Sequence, residues 1–168
     1  MRRIALLTAS AALMLGLAAQ PVAARQSGST IVGTAIAVNA ANGEFDYLIQ
    51  AVVRAGLVDT LNGNRQFTVF APTDAAFEAL FDALGVDGIA DIPVDTLRAV
   101  LLYHVAPGER FSGDVVSSSR IRTVSKSFLF PSVHDGGAFV NDARIVAADV
   151  DASNGVIHVI DTVLLPAA

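Results

Sequence analysis

The chain has 168 residues, 53% hydrophobic and 16% charged, with 16 acidic against 11 basic side chains and a formal net charge of −5. That surplus of negative charge argues against non-specific nucleic-acid binding, which needs clustered positive charge to neutralise phosphates. No cysteine is present, which excludes disulfides, thiol chemistry and a lipid-attachment cysteine.

The N-terminus reads as an export signal. Arg2 and Arg3 form a positive start, Ile4 to Ala19 is an apolar run, and Val22-Ala23-Ala24 places small residues where a signal peptidase reads, so cleavage is expected after Ala24. The rival is an uncleaved anchor, but the run is Ala-rich and shorter than the roughly 20 residues a spanning helix needs. The polar residue expected before a twin-arginine pair is missing, which favours general secretion. The expected product is soluble in the periplasm or outside the cell, with no stable membrane insertion. Without Arg2 and Arg3, 9 basic minus 16 acidic residues leaves a net charge of −7. Residues 25–29 read as a flexible lead-in and residues 30–166 as one domain, long enough for a self-sufficient core.

Along the domain, Phe45, Leu48, Ile49, Val52 and Val53 recur at helical spacing, and Gly56 stands where a helix end tolerates positive φ. Phe67 to Ala71 is a β-branched and aromatic run suited to a buried strand, which Pro72 ends. Thr73 or Asp74 can cap the following helix, whose buried face carries Phe77, Leu80 and Phe81. Asp95 is expected to cap another helix, with Leu97, Val100, Leu101 and His104 on one face and Pro107-Gly108 as its stop. From Glu109 onward the pattern shortens to strands at Ile121–Val124, Phe128–Val133, Ala138–Val140, Ile145–Val150 and Val156–Leu164. Asn154-Gly155 between the last two is a hairpin signal, because both residues tolerate positive φ. Helices followed by strands predict an α+β fold.

Two stretches, Phe67-Thr-Val-Phe-Ala-Pro-Thr-Asp-Ala-Ala-Phe77 and Asn154-Gly-Val-Ile-His-Val-Ile-Asp-Thr-Val-Leu-Leu-Pro166, resemble the two signature boxes of the fasciclin (FAS1) domain family. Tyr103-His104 resembles the tyrosine-histidine pair that the family places between them. Asp46 to Leu61 resembles the helix before the first box, and Phe139-Val-Asn141 the short strand before the last hairpin. The resemblance implies a bacterial, single-domain secreted member with a wedge of two β-sheets and several helices packed on one side. Within the boxes, Thr73, Asp74, Asn154, Gly155, His158 and Asp161 are the residues expected to hold the motif together. One stretch departs from the family pattern: Ser117 to Ser127 replaces the hairpin that usually carries a Thr-Leu-Gly-like motif between Phe111 and Val133. Any ligand contact from that segment is open.

Sequence motifs for chemistry are sparse. No Gly-x-Ser-x-Gly elbow, His-Glu-x-x-His, Gly-rich phosphate loop or cysteine nucleophile occurs, so no enzyme activity, metal or cofactor is expected. Asp142, Asp149 and Asp151 lie close in sequence but lack EF-hand spacing and read as a solvated hairpin edge. His158 alternates with apolar residues and reads as interior; His134, beside Asp135-Gly-Gly137, reads as an exposed turn residue. His104 lies on an apolar helix face and has two readings, a packed and hydrogen-bonded core residue or, with Tyr103, a contact of the kind the resemblance implies from integrin binding in animal members. Arg120, Arg122 and Lys126 form a dense positive cluster. On a strand they share one face and can hold an anionic glycan or headgroup, or they simply guard an exposed strand edge against pairing.

The expected function is that of a secreted, non-enzymatic interaction domain, acting in adhesion or in binding a cell-surface or matrix protein or an anionic glycan. The alternative is a periplasmic carrier of an apolar ligand or cofactor.

Overall fold

The computed structural model describes residues 29–166; the expected signal segment and residues 25–28 of the lead-in lie outside the described residues. Its helices are α1 (Ile31–Asn42), α2 (Asp46–Arg54), α3 (Val58–Leu61), α4 (Asp74–Leu84), α5 (Val94–Tyr103) and α6 (Ser112–Ser117). Its strands are β1 (Phe67–Pro72), β2 (Val105–Pro107), β3 (Ile121–Arg122), β4 (Phe128–Leu129), β5 (Pro131–His134), β6 (Gly137–Val140), β7 (Ala143–Ala152) and β8 (Gly155–Ile160). The α+β expectation holds: six strands form one mixed sheet in the order β2-β1-β8-β7-β6-β5, and β3-β4 form a separate hairpin.

The helical half differs from expectation in instructive ways. Helix α1 escapes a periodicity search because its apolar residues run around the helix, and only Ile31 and Thr34 are fully buried. Its signals are at the ends, where the Thr30 side chain accepts from Gly33 N and Gly43 closes the helix at φ +67. Helix α2 ends at Arg54 with Gly56 at φ +68, as its place after Val53 predicts, so the stretch Asp46 to Leu61 that resembles one helix is two, the chain restarting as α3. Thr73 caps α4 by accepting from Ala76 N. Asp74 faces the other way, its carboxylate accepting from Asp46 N at 3.2 Å and Tyr47 N at 2.9 Å at the head of α2. Adjacent residues thus cap two different helices. Asp95 does not cap α5; Pro93 occupies that position and Asp95 lies in the first turn, where a carboxylate still favours the helix dipole. Helix α5 also ends before Pro107, because the sheet captures the chain at once: Phe70 N donates to His104 O and Val105 pairs with Val69.

The run Phe128–Val133, expected as one strand, is divided between two sheets at Phe130. Asn141 holds the junction, accepting from Phe130 N through its side chain while its own N–H donates to Phe130 O, both at 2.9 Å. The strand expected at Ile121–Val124 is shorter, since Thr123 to Ser127 form a tight turn closed by Thr123 N to Ser127 O.

Strands β1 and β8, which open the two conspicuous sequence stretches, are parallel neighbours, registered from Phe67 against Gly155 to Pro72 against Ile160. Every residue of both is buried. Val69, Ala71, Ile157 and Val159 face a core built with α1, α2, α4 and α5, whereas Phe70 and Ile160 face a second core with Tyr103, Val115, Ile121, Leu129 and Val140. Burial on both faces is why these strands read as continuous apolar runs rather than alternating ones.

The final hairpin turns through Ser153 and Asn154, one residue earlier than an Asn-Gly turn would place it, and Asn154 keeps a negative φ. Gly155 is already in strand β8, at φ +153, with its α-carbon pressed against the Phe67 backbone. Its requirement is close approach as much as φ, since any Cβ there would overlap the Phe67 carbonyl oxygen. We therefore expect Gly155→Val to cost roughly 3 kcal/mol or more, measured as a large drop in melting temperature; an unchanged melting temperature would contradict the β1–β8 contact.

Candidate functional site

Tyr103 and His104 lie in the interior at the end of α5. The Tyr103 hydroxyl donates to Phe128 O and accepts from Asn141 Nδ2, each at 3.1 Å. His104 is 2% exposed. Its Nδ1 lies 2.7 Å from Val100 O, and its Nε2 accepts from Leu164 N at 2.8 Å, so the geometry requires the neutral ring with the proton on Nδ1. Burial pushes its pKa down to about 4, against the weaker upward pull of the Val100 carbonyl. The pair ties the end of α5 to the β3–β4 hairpin and to the irregular segment after β8, a strand expected to run to Leu164 that ends at Ile160, and its side chains offer almost no surface.

His158 is fully buried and stacks on Phe70 at 5.6 Å. It accepts from Asp149 N through Nδ1 at 3.3 Å and lies 2.8 Å from Arg110 O through Nε2, which fixes the opposite tautomer. Burial lowers its pKa, opposed by the Arg110 carbonyl and the Asp149 charge. Asp149 takes φ +58 in an irregular part of β7, and its carboxylate accepts from Ser112 N and Ser112 Oγ, both at 2.6 Å. Serine therefore meets aspartate rather than histidine, and the three do not form a nucleophile–base relay. Asp161 accepts from Arg144 N at 3.0 Å and steadies the start of β7. Asn154 is more central than its turn position implies: it accepts from Ile31 N at 2.7 Å and donates to Leu61 O at 2.6 Å and Gly63 O at 3.2 Å, joining α1, α3 and the last hairpin. His134 is half-exposed at the β5–β6 turn and stacks on Phe139 at 3.8 Å. Among the described residues no group of three His, Asp or Glu gathers to hold a metal ion.

The positive cluster is split by the fold. Arg120 lies over the Phe128 ring, 4.7 Å from its centroid. Arg122 and Lys126, from β3 and the turn after it, line a groove of about 760 Å³ whose other wall carries Arg65, which sequence reading passed over. The turn is stapled in place: Val124 N donates to Val105 O at 2.7 Å, Lys126 N to Thr123 O at 3.0 Å, and Lys126 takes φ +70. Opposite stands the loop Asn62–Gln66 that feeds β1. Among the described residues no Asp or Glu lines the groove, and none of its three cations has an ion pair or side-chain hydrogen bond. In an acidic chain that is a local concentration of positive charge, with the Glu109 carboxylate at its margin accepting from the wall residue Gln66 at 3.2 Å, and concave walls focus its field on anions. The only hint of Arg65 in the sequence is its place in a polar Asn62-Gly-Asn-Arg-Gln66 loop immediately before the first box.

A second concavity is wholly aliphatic. About 150 Å³ lies between α1, α2, β1 and β8, bounded by residues such as Ala35, Leu48, Val52, Val69 and Ile157.

Comparison with known proteins agrees with this architecture. The Fasciclin domain family model matches residues 43–166. Protein sll1483 of Synechocystis sp. is 43% identical, aligning 86% of this chain with 77% of its own length. Cell surface glycolipoprotein MPB83 of Mycobacterium bovis is 34% identical over 91% of this chain and 64% of its own. Transforming growth factor-beta-induced protein ig-h3 of Sus scrofa is 36% identical over 82% of this chain, but the chain spans only 20% of that protein. A FAS1 domain pair from the insect cell adhesion molecule Fasciclin I superposes with a TM-score of 0.69 at 21% identity, over 82% of this chain and 51% of that one. That last likeness shows the fold.

The buried histidines predict an acid-sensitive fold. His104 titrates near 6.5 when unfolded and about 4 when folded, so its stabilising effect is complete above pH 6.5 and is lost as pH falls through 4. That gap is worth roughly 3 kcal/mol. Melting temperature should fall between about pH 6.5 and pH 4, and His104→Gln, less stable at neutral pH, should show a shallower decline. Equal slopes would locate the acid sensitivity elsewhere.

Proposed function

The chain belongs to the fasciclin domain family, and from that premise we propose that it is an exported, non-enzymatic interaction domain that binds a cell-surface or matrix component. The layout that goes with this reading is a signal peptide over residues 1–24, a short lead-in over 25–29 and one fasciclin domain over 30–166, acting in the periplasm or outside the cell. Among the described residues no helix is long and apolar enough to cross a membrane. MPB83 is by name a cell surface protein and Fasciclin I a cell adhesion molecule, which is consistent with a role in surface recognition.

The observation that carries the proposal is the groove between Arg65 and the Arg122–Lys126 turn. The two family boxes are spent on architecture, as the buried β1–β8 pair, and Tyr103 and His104 are enclosed; the groove is where charged side chains stand ready for an external partner. Its positive sign suits anionic surface material. The carrier reading draws on the aliphatic cleft beneath α1, but about 150 Å³ is well below the roughly 300 Å³ at which ligand pockets begin. An organic extract of the native protein containing a stoichiometric apolar compound would restore it.

The exported chain should adhere to whole cells or isolated surface material, and adhesion should weaken as salt rises from about 0.1 to 1 M and the Debye length shrinks from about 10 to about 3 Å. Replacing Arg65, Arg122 and Lys126 together with Gln should reduce adhesion about tenfold or more with the melting temperature unchanged, since exposed charges contribute little to stability. Adhesion indifferent to both salt and the triple replacement would reject the groove as the contact surface.

A further inference from the structure

The cationic groove adjoins a second concavity of a different character. Gly63, Asn64 and Gln66 line both, so the loop before β1 is shared between them. The second, about 480 Å³, is bounded on its far side by Thr30 at the head of α1 and by Ser153 and Asn154 in the last turn. Its side chains are amides and hydroxyls without charge. The two adjoin across that loop as a trough in two parts, cationic at the β3–β4 end and neutral but hydrogen-bonding at the α1 end, and among the described residues no Asp or Glu lines either part. Gln66 donates to Glu109 at 3.2 Å, Thr30 to Asn62 at 2.5 Å, and the Asn154 amide is turned inward. The Asn64 side chain, at the join, has no partner among the described residues and is exposed.

A ligand that uses the whole trough must carry negative charge in one part and neutral hydroxyls in the next. A compact inorganic anion satisfies only the cationic end. A single-stranded nucleic acid would want exposed aromatic platforms for its bases, and Phe67, the aromatic residue of the walls, is 6% exposed. An acidic polysaccharide meets both demands, because its carboxylates or sulfates alternate with uncharged sugar hydroxyls and its ring C–H faces suit apolar wall residues such as Pro107 and Val124. We propose that the trough binds a linear acidic polysaccharide, with an acidic sugar held by Arg65, Arg122 and Lys126 and the adjoining sugar hydroxyls met by Asn64 and Ser153. This rests on the interaction-domain reading and names its ligand class.

Titration calorimetry of the purified chain with polygalacturonate, dextran sulfate, uncharged dextran and inorganic polyphosphate tests it. Binding is expected for the two acidic polysaccharides and not for dextran. Each of Arg65→Gln, Arg122→Gln and Lys126→Gln should weaken it about fivefold, the weight of one charge-assisted contact, with unchanged melting temperature. Asn64→Ala should weaken galacturonate oligomers about threefold to fivefold but leave the monomer, which occupies only the cationic end, unaffected. Polyphosphate binding as tight as either polysaccharide, or polysaccharide binding that survives the triple replacement, overturns the proposal. Adhesion lost in the triple variant, with neither acidic polysaccharide bound, overturns the ligand class while leaving the interaction-domain reading in place. Polysaccharide binding without any adhesion to surface material does the reverse.

Discussion

The parallel pairing of β1 with β8 is the constraint on which the rest of this structure depends. It joins residues 88 positions apart, Phe67 against Gly155, in the middle of a six-stranded sheet. Parallel strands cannot be joined by a short hairpin, so everything between them is connection: α4 and α5 cover one face, and the smaller strands and α6 build the other core. Gly155 permits a close approach of the two backbones, since a Cβ there would overlap the Phe67 carbonyl. Asn154, one residue earlier, uses all of its amide groups inward, fastening α1 and α3 to the same point. A short polar turn residue thereby fixes helix α1, which has little amphipathic character of its own to do so.

The two buried histidines show how the second half of the fold is specified. His104 and His158 are each neutral, each bonded through both ring nitrogens, and in opposite tautomers because their partners differ. An apolar residue at either place would leave backbone donors or carbonyls buried without partners, which is costly. Each ring therefore acts as a two-ended spacer between segments that share no strand ladder: α5 with the tail after β8, and β7 with the loop before α6. The tyrosine-histidine pair that attracts a functional reading in sequence is here an internal joint.

The groove arises from the same frame. The loop Asn62–Gln66 stands where it does because β1 begins at Phe67 beside Gly155, and the Arg122–Lys126 turn stands opposite because Val124 and Ser125 are bonded to the chain at Val105 and Leu102. Its cations come from the stretch Ser117 to Ser127 and from the loop before β1. Variation at the trough need not disturb the sheet, since its charged walls lie outside both cores.

Much of the fold was legible in the residues themselves: the buried run of β1, the Thr73 cap, the helical spacing of Phe45 to Val52, and the α+β class. Each is a local property, settled by neighbours within a few positions, and the two family boxes added the order in which they assemble. Some features could not be read this way because their physical cause is distant in sequence. Asp74 caps a helix 28 residues back, Phe128–Val133 divides because Asn141 intervenes, and Gly155 is required by the Phe67 backbone rather than by its own turn. The candidate site follows the same division. Sequence alone determined that positive charge concentrates at Arg120, Arg122 and Lys126; tertiary structure decided that Arg120 stacks on Phe128 while Arg65 takes its place in the groove, because charges converge through space and not along the chain.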